Sequence, residues 1–279
     1  MAGILYIVGT PIGNLGDISP RALETLETVD FIAAEDTRVT LKLLNHFGIK
    51  KPMVSYFEHN KHERGEMICQ RILNGESCAI VTDAGMPCIS DPGELLIKQC
   101  IEYGIETQVI PGPSAVISAL AVSGLPTGRF TFEGFLSVNK KSRKEHLNEV
   151  KNEKRTMIFY EAPHKLNATL KDMLDHFGDR RISIVRELTK IHEEVIPTTL
   201  QKAVEDYKEA PLKGEIVLIV EGAKIEENSE EYTLDDAVAM ALAMAEDENI
   251  AISEATKKTA KLTGIKKGII YKAITEEDN

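Results

Sequence analysis

The sequence lacks several features that would assign it to a familiar class of protein. It contains no run of about 18 apolar residues, so we predict no membrane span. Its first residues carry no basic segment and lead directly into an apolar strand, so we expect no secretory signal and a cytosolic location. No Cys-x-x-Cys pair occurs, and we therefore expect reduced, mostly buried thiols and neither a disulfide nor a metal site at the four cysteines Cys69, Cys78, Cys88 and Cys100.

Two glycine patterns that bind phosphate groups are also missing. Gly9, Gly13 and Gly16 follow the first predicted strand, but they are not spaced Gly-x-Gly-x-x-Gly. No Gly-Lys-Ser/Thr follows them either. Both absences agree with a ligand that lacks phosphates.

Charge is distributed unevenly along the chain. The net charge of −11 argues against indiscriminate nucleic-acid binding by the whole surface, but local segregation of charge leaves specific contacts open. Residues 225–250 contain acidic residues and no Lys or Arg, whereas residues 251–275 are rich in lysine and contain a single acid, Glu254. A second basic segment lies at residues 139–144 and could bind backbone phosphates, or could simply be the solvated start of a helix.

The chain does contain a regular alternation of strands and helices. Over residues 3–112, short apolar runs are separated by amphipathic segments of helix length, which predicts a mainly parallel, doubly wound sheet. Residues 82–93 follow one of these strands and contain two prolines and two glycines. Because open parallel sheets bind ligands outside the carboxyl ends of their strands, this loop is a candidate binding site.

The pattern predicts an α/β protein with two tandem α/β domains and a small C-terminal helical domain. Pro111-Gly112-Pro113 indicates a hinge, and a second series of strands and helices follows it. Two such units favour a ligand cleft between them. We predict an N-terminal domain, a second α/β domain, an acidic linker and a helical domain over residues 1–123, 124–224, 225–231 and 232–279.

The last domain has the outline of a helix-turn-helix. A helix is predicted from Leu234 to Ala245, and Ser253 can cap another that reaches Leu262. Gly264 interrupts the pattern before a further basic helix. Contact with nucleic acid and packing on a partner subunit are both compatible with these helices.

Several longer motifs occur in a fixed order and cover nearly the whole chain. They are YIVGTPIGNLGDI at 6–18, AEDTR at 34–38, DAGMPCISDPG at 83–93, PGPSA at 111–115, FEGF at 132–135, FYE at 159–161 and VRELTK at 185–190. Together they resemble the bacterial ribosomal RNA small subunit methyltransferase I family, which belongs to the tetrapyrrole-methylase-like S-adenosylmethionine enzymes. Many relatives in that wider class have Gly-Asp-Pro in the central loop, whereas this chain has Gly85-Met86-Pro87, so no carboxylate acts at position 86.

The resemblance implies a function and its partners. It implies 2′-O-methylation of a cytidine ribose in the decoding region of 16S ribosomal RNA by a homodimer, with S-adenosylmethionine bound in the cleft between the α/β domains. A tetrapyrrole precursor methylase is one alternative, and a non-catalytic regulator that senses a ligand and binds DNA through its tail is another. The basic segment and the lysine-rich tail favour RNA.

The resemblance also carries cofactor contacts onto this chain by motif position. In the N-terminal domain, they fall on Ile12, Asp83, Ala84, Gly85, Met86, Ile89, Ser114 and Ala115. In the second domain, they fall on Tyr160, Arg186, Glu187, Glu215 and Ile216.

Methylation of a ribose hydroxyl needs help from a base or an orienting group, because the hydroxyl is a poor nucleophile at neutral pH. We select Glu35, Asp36 and Lys190 as catalytic candidates, Lys190 on condition that burial lowers its pKa. Other acids near strand ends are Asp83, Glu133, Glu161 and Glu187. An alternative for the Glu35–Arg38 segment is a helix cap at Asp36 or Thr37.

For RNA binding we select Arg38, Lys140, Lys141, Arg143 and Lys144.

Overall fold

A computed structural model of the chain describes residues 2–91, 93–208, 212–224 and 232–277. The chain divides into two compact units, residues 1–223 and 224–279. The predicted acidic linker, 225–231, lies outside the described residues, and the other predicted domain boundaries stay predictions. No helix in the described ranges is both long and apolar enough to cross a bilayer.

The first sheet is wholly parallel, as the alternation of strands and helices predicts. Its strands are β1 (Ile4–Val8), β2 (Phe31–Ala34), β3 (Met53–Ser55), β4 (Cys78–Val81) and β5 (Glu106–Ile110), arranged in the order β3-β2-β4-β1-β5. The helices that connect or follow them are α1 (Pro20–Thr28), α2 (Thr37–His46), α3 (Lys61–Leu73), α4 (Gly93–Glu102) and α5 (Ala115–Val122).

Alternate residues of these strands pack in two separate hydrophobic cores. Leu5 and Phe31 pack on one face of the sheet, whereas Val8 and Ile32 pack on the other. Burial on both faces explains why the strands have continuous apolar runs. Helix α3 begins at Lys61, and its first turn is polar.

The second sheet is mixed. Its strands are β6 (Phe130–Phe135), β7 (Thr156–Glu161), β8 (Arg181–Arg186), β9 (Glu194–Thr199) and β10 (Ile216–Val220), arranged in the order β6-β7-β10-β8-β9. Only β6 and β7 are parallel; the other neighbours are antiparallel. A short loop joins β8 directly to β9, so no helical crossover returns the chain to a parallel direction.

Helices cover both faces of this mixed sheet. The elements that follow β6, β7 and β9 are α6 (Lys140–Val150), α7 (Leu166–Phe177) and α8 (Leu200–Asp206). On the opposite face, Val116, Ala119 and Leu120 of α5 pack against β7, β8 and β10. Helix α5 therefore follows the last strand of the first sheet but contributes its apolar side to the second.

Within its described residues, the second unit contains three helices, α9 (Leu234–Asp247), α10 (Ile252–Thr263) and α11 (Lys267–Glu277). Ala237, Ala241 and Ile270 are among the residues of their shared core. The prediction that Ser253 caps α10 is wrong, because the cap residue is Ala251 and Ser253 lies in the first turn. Gly264 ends α10 in the left-handed conformation, as its position predicts.

Candidate functional site

A cavity of about 380 Å³, hereafter the first cavity, lies between the two sheets of the first unit. Loops after β1, β4 and β5 form one side of it, at the carboxyl end of the parallel sheet. The other side is formed mainly by β7, β8, β10 and the residues that follow β7. A pocket of this size at this edge of a parallel sheet is a typical small-molecule site.

Close backbone contacts hold the loops of the parallel sheet in place. A Cβ atom at Gly112 would lie 2.8 Å from the Cα of Gly9, so the loops after β5 and β1 touch through backbone atoms. Thr10 and Gly85 exchange two backbone hydrogen bonds of 2.9 and 3.1 Å, which join the loop after β1 to the loop after β4. Gly85 has a φ of 92°, a conformation that favours glycine.

The mixed sheet presents strand side chains to the cavity instead of loops. Tyr160 of β7 packs its ring against Phe132 and Phe135 of β6, with centroids 5.0 and 5.3 Å apart. Burial raises the pKa of the Tyr160 hydroxyl, which therefore stays protonated at neutral pH. Phe135 also lines the cavity, although 59% of its surface remains exposed.

Most of the residues selected by motif for cofactor contact line this cavity. They are Ile12, Ala84, Gly85, Met86, Ile89, Ser114, Ala115, Tyr160, Glu215 and Ile216. Arg186 does not line it, because its guanidinium contacts the carboxylate of Glu194 and the carbonyl of Lys213. Glu187 is likewise directed elsewhere, toward the Glu215 amide and Lys190.

Motif analysis did not select several residues that line the cavity. They are Thr82, Ser90, Asp91, Phe135, Ala162, Pro163, Val185, Leu188 and Val217. Strand alternation could have indicated Val185 and Val217, which lie on one face of the mixed sheet. Glu161 also lines the cavity, but its carboxylate is buried and accepts hydrogen bonds from Thr169 Oγ1 at 2.5 Å and the Ala162 amide at 2.8 Å.

The three catalytic candidates lie in different environments. Glu35 lines the first cavity, and its Oε2 accepts a hydrogen bond of 2.6 Å from Thr82 Oγ1. Asp36 caps α2, where it accepts from the Arg38 amide at 2.8 Å. The Arg38 side chain, 2.6 Å away, lowers the pKa of Asp36 to about 2, so this carboxylate is a weak base.

The expectation that burial lowers the pKa of Lys190 is wrong. Its Nζ donates to Glu187 Oε1 and Glu215 Oε2, both at 3.0 Å. Burial does act to lower the pKa of Lys190, but these hydrogen bonds and charges outweigh it, and the pKa is raised. Lys190 is therefore protonated at neutral pH and suits binding of negative charge better than proton abstraction.

A second cavity, of about 360 Å³, adjoins the first. Ile12, Thr82, Ala84 and Glu215 line both, so the two cavities meet at these residues. Asp83, which the motif assigns to cofactor contact, lines the second cavity and not the first. Burial and the nearby charge of Glu35 raise the pKa of the Asp83 carboxyl.

Among the residues selected for RNA, four have exposed side chains: Arg38, Lys140, Lys141 and Lys144. Asn139 caps α6 and holds the start of this helix through the amides of Lys141 and Ser142. Arg143 differs, because its side chain is only 16% exposed and contacts Asp172 at 2.7 Å. The selection of Arg143 for phosphate contact is thus at odds with its placement, since its guanidinium joins α6 to α7 within the fold.

Comparison with known proteins defines the class and then the family. The family model for the tetrapyrrole (corrin/porphyrin) methylases matches residues 4–204. The crystal structure of uroporphyrin-III-C-methyltransferase from Thermus thermophilus has the same fold, with a TM-score of 0.56 and 17% identity over 78% of this chain and 94% of that one. The chain therefore has the tetrapyrrole-methylase fold and belongs to that class of proteins.

Relatives that match over the full length of the chain identify its family within this class. The chain is 46% identical to ribosomal RNA small subunit methyltransferase I of Synechocystis sp., over 98% of both chains. It is 47% identical to the protein of that name from Halalkalibacterium halodurans, over 99% of this chain and 96% of the relative. The chain belongs to the ribosomal RNA small subunit methyltransferase I family.

Proposed function

We propose that this protein methylates the ribosomal RNA of the small subunit, with S-adenosylmethionine as the methyl donor. More specifically, we propose that it modifies the ribose 2′-hydroxyl of a cytidine in the decoding region of 16S ribosomal RNA. The names of its full-length relatives support the RNA substrate, and the family resemblance supports the position of the methyl group.

The observation that carries this proposal is the first cavity. Its lining is largely apolar or backbone, with Ile12, Ala84 and Met86 from loops and Ile216 and Val217 from the mixed sheet. The carboxylates of Glu35, which follows β2, and Glu215, which precedes β10, line this cavity and can balance a positively charged ligand. A sulfonium nucleoside without phosphates fits this combination of apolar walls and carboxylates.

The chain contributes to the reaction chiefly by orienting the methyl donor and the RNA acceptor relative to each other. When bound, S-adenosylmethionine supplies an electrophilic methyl group on a sulfonium. The Thr10–Gly85 hydrogen bonds join the loops after β1 and β4, which suits these loops to position a donor, and apolar side chains of the mixed sheet form the opposite wall. The exposed cations at Arg38, Lys140, Lys141 and Lys144 can bind RNA phosphates and hold the acceptor strand.

The test is a methyl-transfer assay with the purified full-length chain. Tritiated S-adenosylmethionine should label small ribosomal subunits isolated from cells that lack the enzyme, and nuclease digestion should place the label on a cytidine ribose. Calorimetry should show uptake of S-adenosylhomocysteine by the protein alone. Label on a base would refute the 2′-hydroxyl assignment. Label on uroporphyrinogen in place of RNA would show that the protein is a tetrapyrrole methylase.

We also propose that the active form is a homodimer, as the family resemblance implies. Sedimentation equilibrium over a range of protein concentrations tests this directly. A species of twice the chain mass of 30.9 kDa is expected, and a monomer at all concentrations would refute it.

A further inference from the structure

The second cavity lies where an acceptor could approach a donor held in the first cavity. Methyl transfer from a sulfonium is an in-line displacement, so the acceptor oxygen must reach the methyl carbon from the side opposite the sulfur. Thr82 and Ala84 are both small, and they line both cavities. A donor in the first cavity and an acceptor in the second could therefore meet beside these two residues.

The lining of the second cavity suits one nucleotide of a single strand. Leu15, Val39 and Leu43 offer apolar surface for the face of a base. Lys190 and Lys42 supply positive charge for a phosphate. The Lys42 side chain is exposed and makes no hydrogen bond or ion pair with any residue that the structure describes.

Asp83 is the acid of this cavity that is best placed to take a proton. Its Oδ1 accepts a hydrogen bond of 3.1 Å from the Asp36 amide, whereas its Oδ2 has no partner within the described ranges of the chain. Glu35, by contrast, lines the first cavity and already accepts the Thr82 hydroxyl. Glu215, which also lines the second cavity, is bound to Lys190.

We propose that the second cavity is the subsite for the acceptor nucleotide, and that Asp83 accepts the proton of its ribose 2′-hydroxyl. This inference rests on the proposed function. The oxygen–hydrogen bond of the ribose breaks and its proton moves to Asp83 Oδ2. The ribose oxygen forms a bond to the methyl carbon while the carbon–sulfur bond breaks, and that electron pair stays on sulfur as a neutral thioether.

The environment of Asp83 supports this role. Asp83 is an exposed residue, yet partial desolvation of its carboxyl and then the charge of Glu35 raise its pKa, which makes it a stronger base than an ordinary aspartate. The charged groups that face it come from the loop after β2, from α2 and from the loops of the mixed sheet: Glu35, Asp36, Arg38, Lys42, Lys190 and Glu215.

The first experiment fills the second cavity and leaves the first one open. Val39→Trp places a large side chain in the second cavity, and Leu41→Trp is the matched control, because Leu41 is an exposed residue of the same helix that does not line it. We expect Val39→Trp to lower kcat/KM for small subunits by about 100-fold and to weaken RNA binding, with S-adenosylhomocysteine affinity unchanged. Leu41→Trp should resemble the wild type in all three measurements.

The second experiment removes the proton acceptor with little change in shape. Asp83→Asn should lower the single-turnover rate by about 100-fold or more, while the affinities for RNA and S-adenosylhomocysteine persist. The wild-type rate should fall at acid pH as Asp83 is protonated, and this fall should be absent in the variant. Asp175→Asn, at an exposed position on α7, is the control and should retain both the rate and the pH profile.

The outcomes separate this inference from the proposed function. Full activity in Val39→Trp would refute the acceptor subsite, and loss of S-adenosylhomocysteine binding in that variant would refute the separation of the two cavities. An unchanged rate or pH profile in Asp83→Asn would refute the role of Asp83. If the wild type itself neither bound S-adenosylhomocysteine nor labelled RNA, the proposed function would fail first.

Discussion

The parallel sheet forms its side of the first cavity with loops, whereas the mixed sheet forms the other side mainly with strand side chains. In the parallel sheet, all five strands end at the same edge, so the loops after β1, β4 and β5 converge there. In the mixed sheet, strand direction changes between neighbours, and it is the face of β7, β8 and β10 that meets the cavity. Backbone shape should therefore govern binding on one side, and side-chain volume on the other.

The largest effect is expected where two loops of the parallel sheet touch, because binding and stability should fall together. Gly112→Ala would bring a Cβ to 2.8 Å from Gly9 Cα, a clash between backbone segments that cannot rotate away. We expect a loss of about 3 kcal/mol in the free energy of unfolding and a strong loss of S-adenosylhomocysteine binding. Urea denaturation and calorimetry measure the two effects.

Gly128→Ala is the control for this change, because no atom lies within 4 Å of a Cβ at Gly128. It should leave stability and binding close to the wild type. If Gly112→Ala were equally harmless, backbone contact would not be what shapes this side of the cavity.

A smaller effect is expected on the mixed sheet, where side-chain volume matters. Tyr160→Leu keeps an apolar side chain but removes the ring contacts with Phe132 and Phe135. It should cost about 1 kcal/mol of unfolding free energy and weaken S-adenosylhomocysteine binding, with Tyr160→Phe retaining most of both. A Phe variant as weak as the Leu variant would show that the hydroxyl, not the ring, is what matters at this position.

The basic segment of α6 should separate into a binding part and a structural part. Changing Lys140, Lys141 and Lys144 together to Ala should weaken RNA binding and reduce the slope of log K against log salt by about 2. Arg143→Ala should instead lower the unfolding free energy by roughly 1–3 kcal/mol through loss of the partly buried pair with Asp172, and should leave the salt slope unchanged. An unchanged slope in the lysine variant would assign these lysines to a merely solvated surface.

The smallest effect concerns the exposed pair at the start of α2. Arg38→Ala should raise the pKa of Asp36 from about 2 toward its ordinary value of 3.8, because the guanidinium is what holds it down. Since the pKa is depressed in the folded chain, the stabilisation is present above pH 3.8 and is lost as the pH falls toward 2. A carboxyl titration followed by NMR measures the shift, and an unchanged value would assign the low pKa to the helix cap alone.

Sequence patterns predicted the loop side of the cavity better than the strand side. Ala84, Gly85 and Met86 lie in a stretch whose prolines and glycines make it distinctive, and the structure places all three at the cavity. Strand alternation places Val185 and Val217 on one face of the mixed sheet, but it does not distinguish these two from residues of the same face that pack only in the core. Asp83 was assigned to the cofactor by its position in the motif, but its side chain lines the neighbouring cavity instead.

Electrostatic roles were the hardest to predict from residue order. Lys190 was a candidate base only if burial lowered its pKa, yet Glu187, three residues away, and Glu215, which is distant in sequence, both accept hydrogen bonds from it and raise that pKa. Arg143 was one cation among four in its segment until α7 brought Asp172 to it. In both cases, at least one partner comes from a part of the chain that is distant in sequence.

Local chemistry was sufficient for the elements themselves. The apolar runs predicted the strands and Gly264 predicted the end of α10, because strand burial and left-handed backbone each depend on residues close in sequence. Only the tertiary structure decided which side chains face each cavity and which charges meet. Packing brings together residues that are far apart in sequence, and burial and the pKa values of the site depend on those distant neighbours.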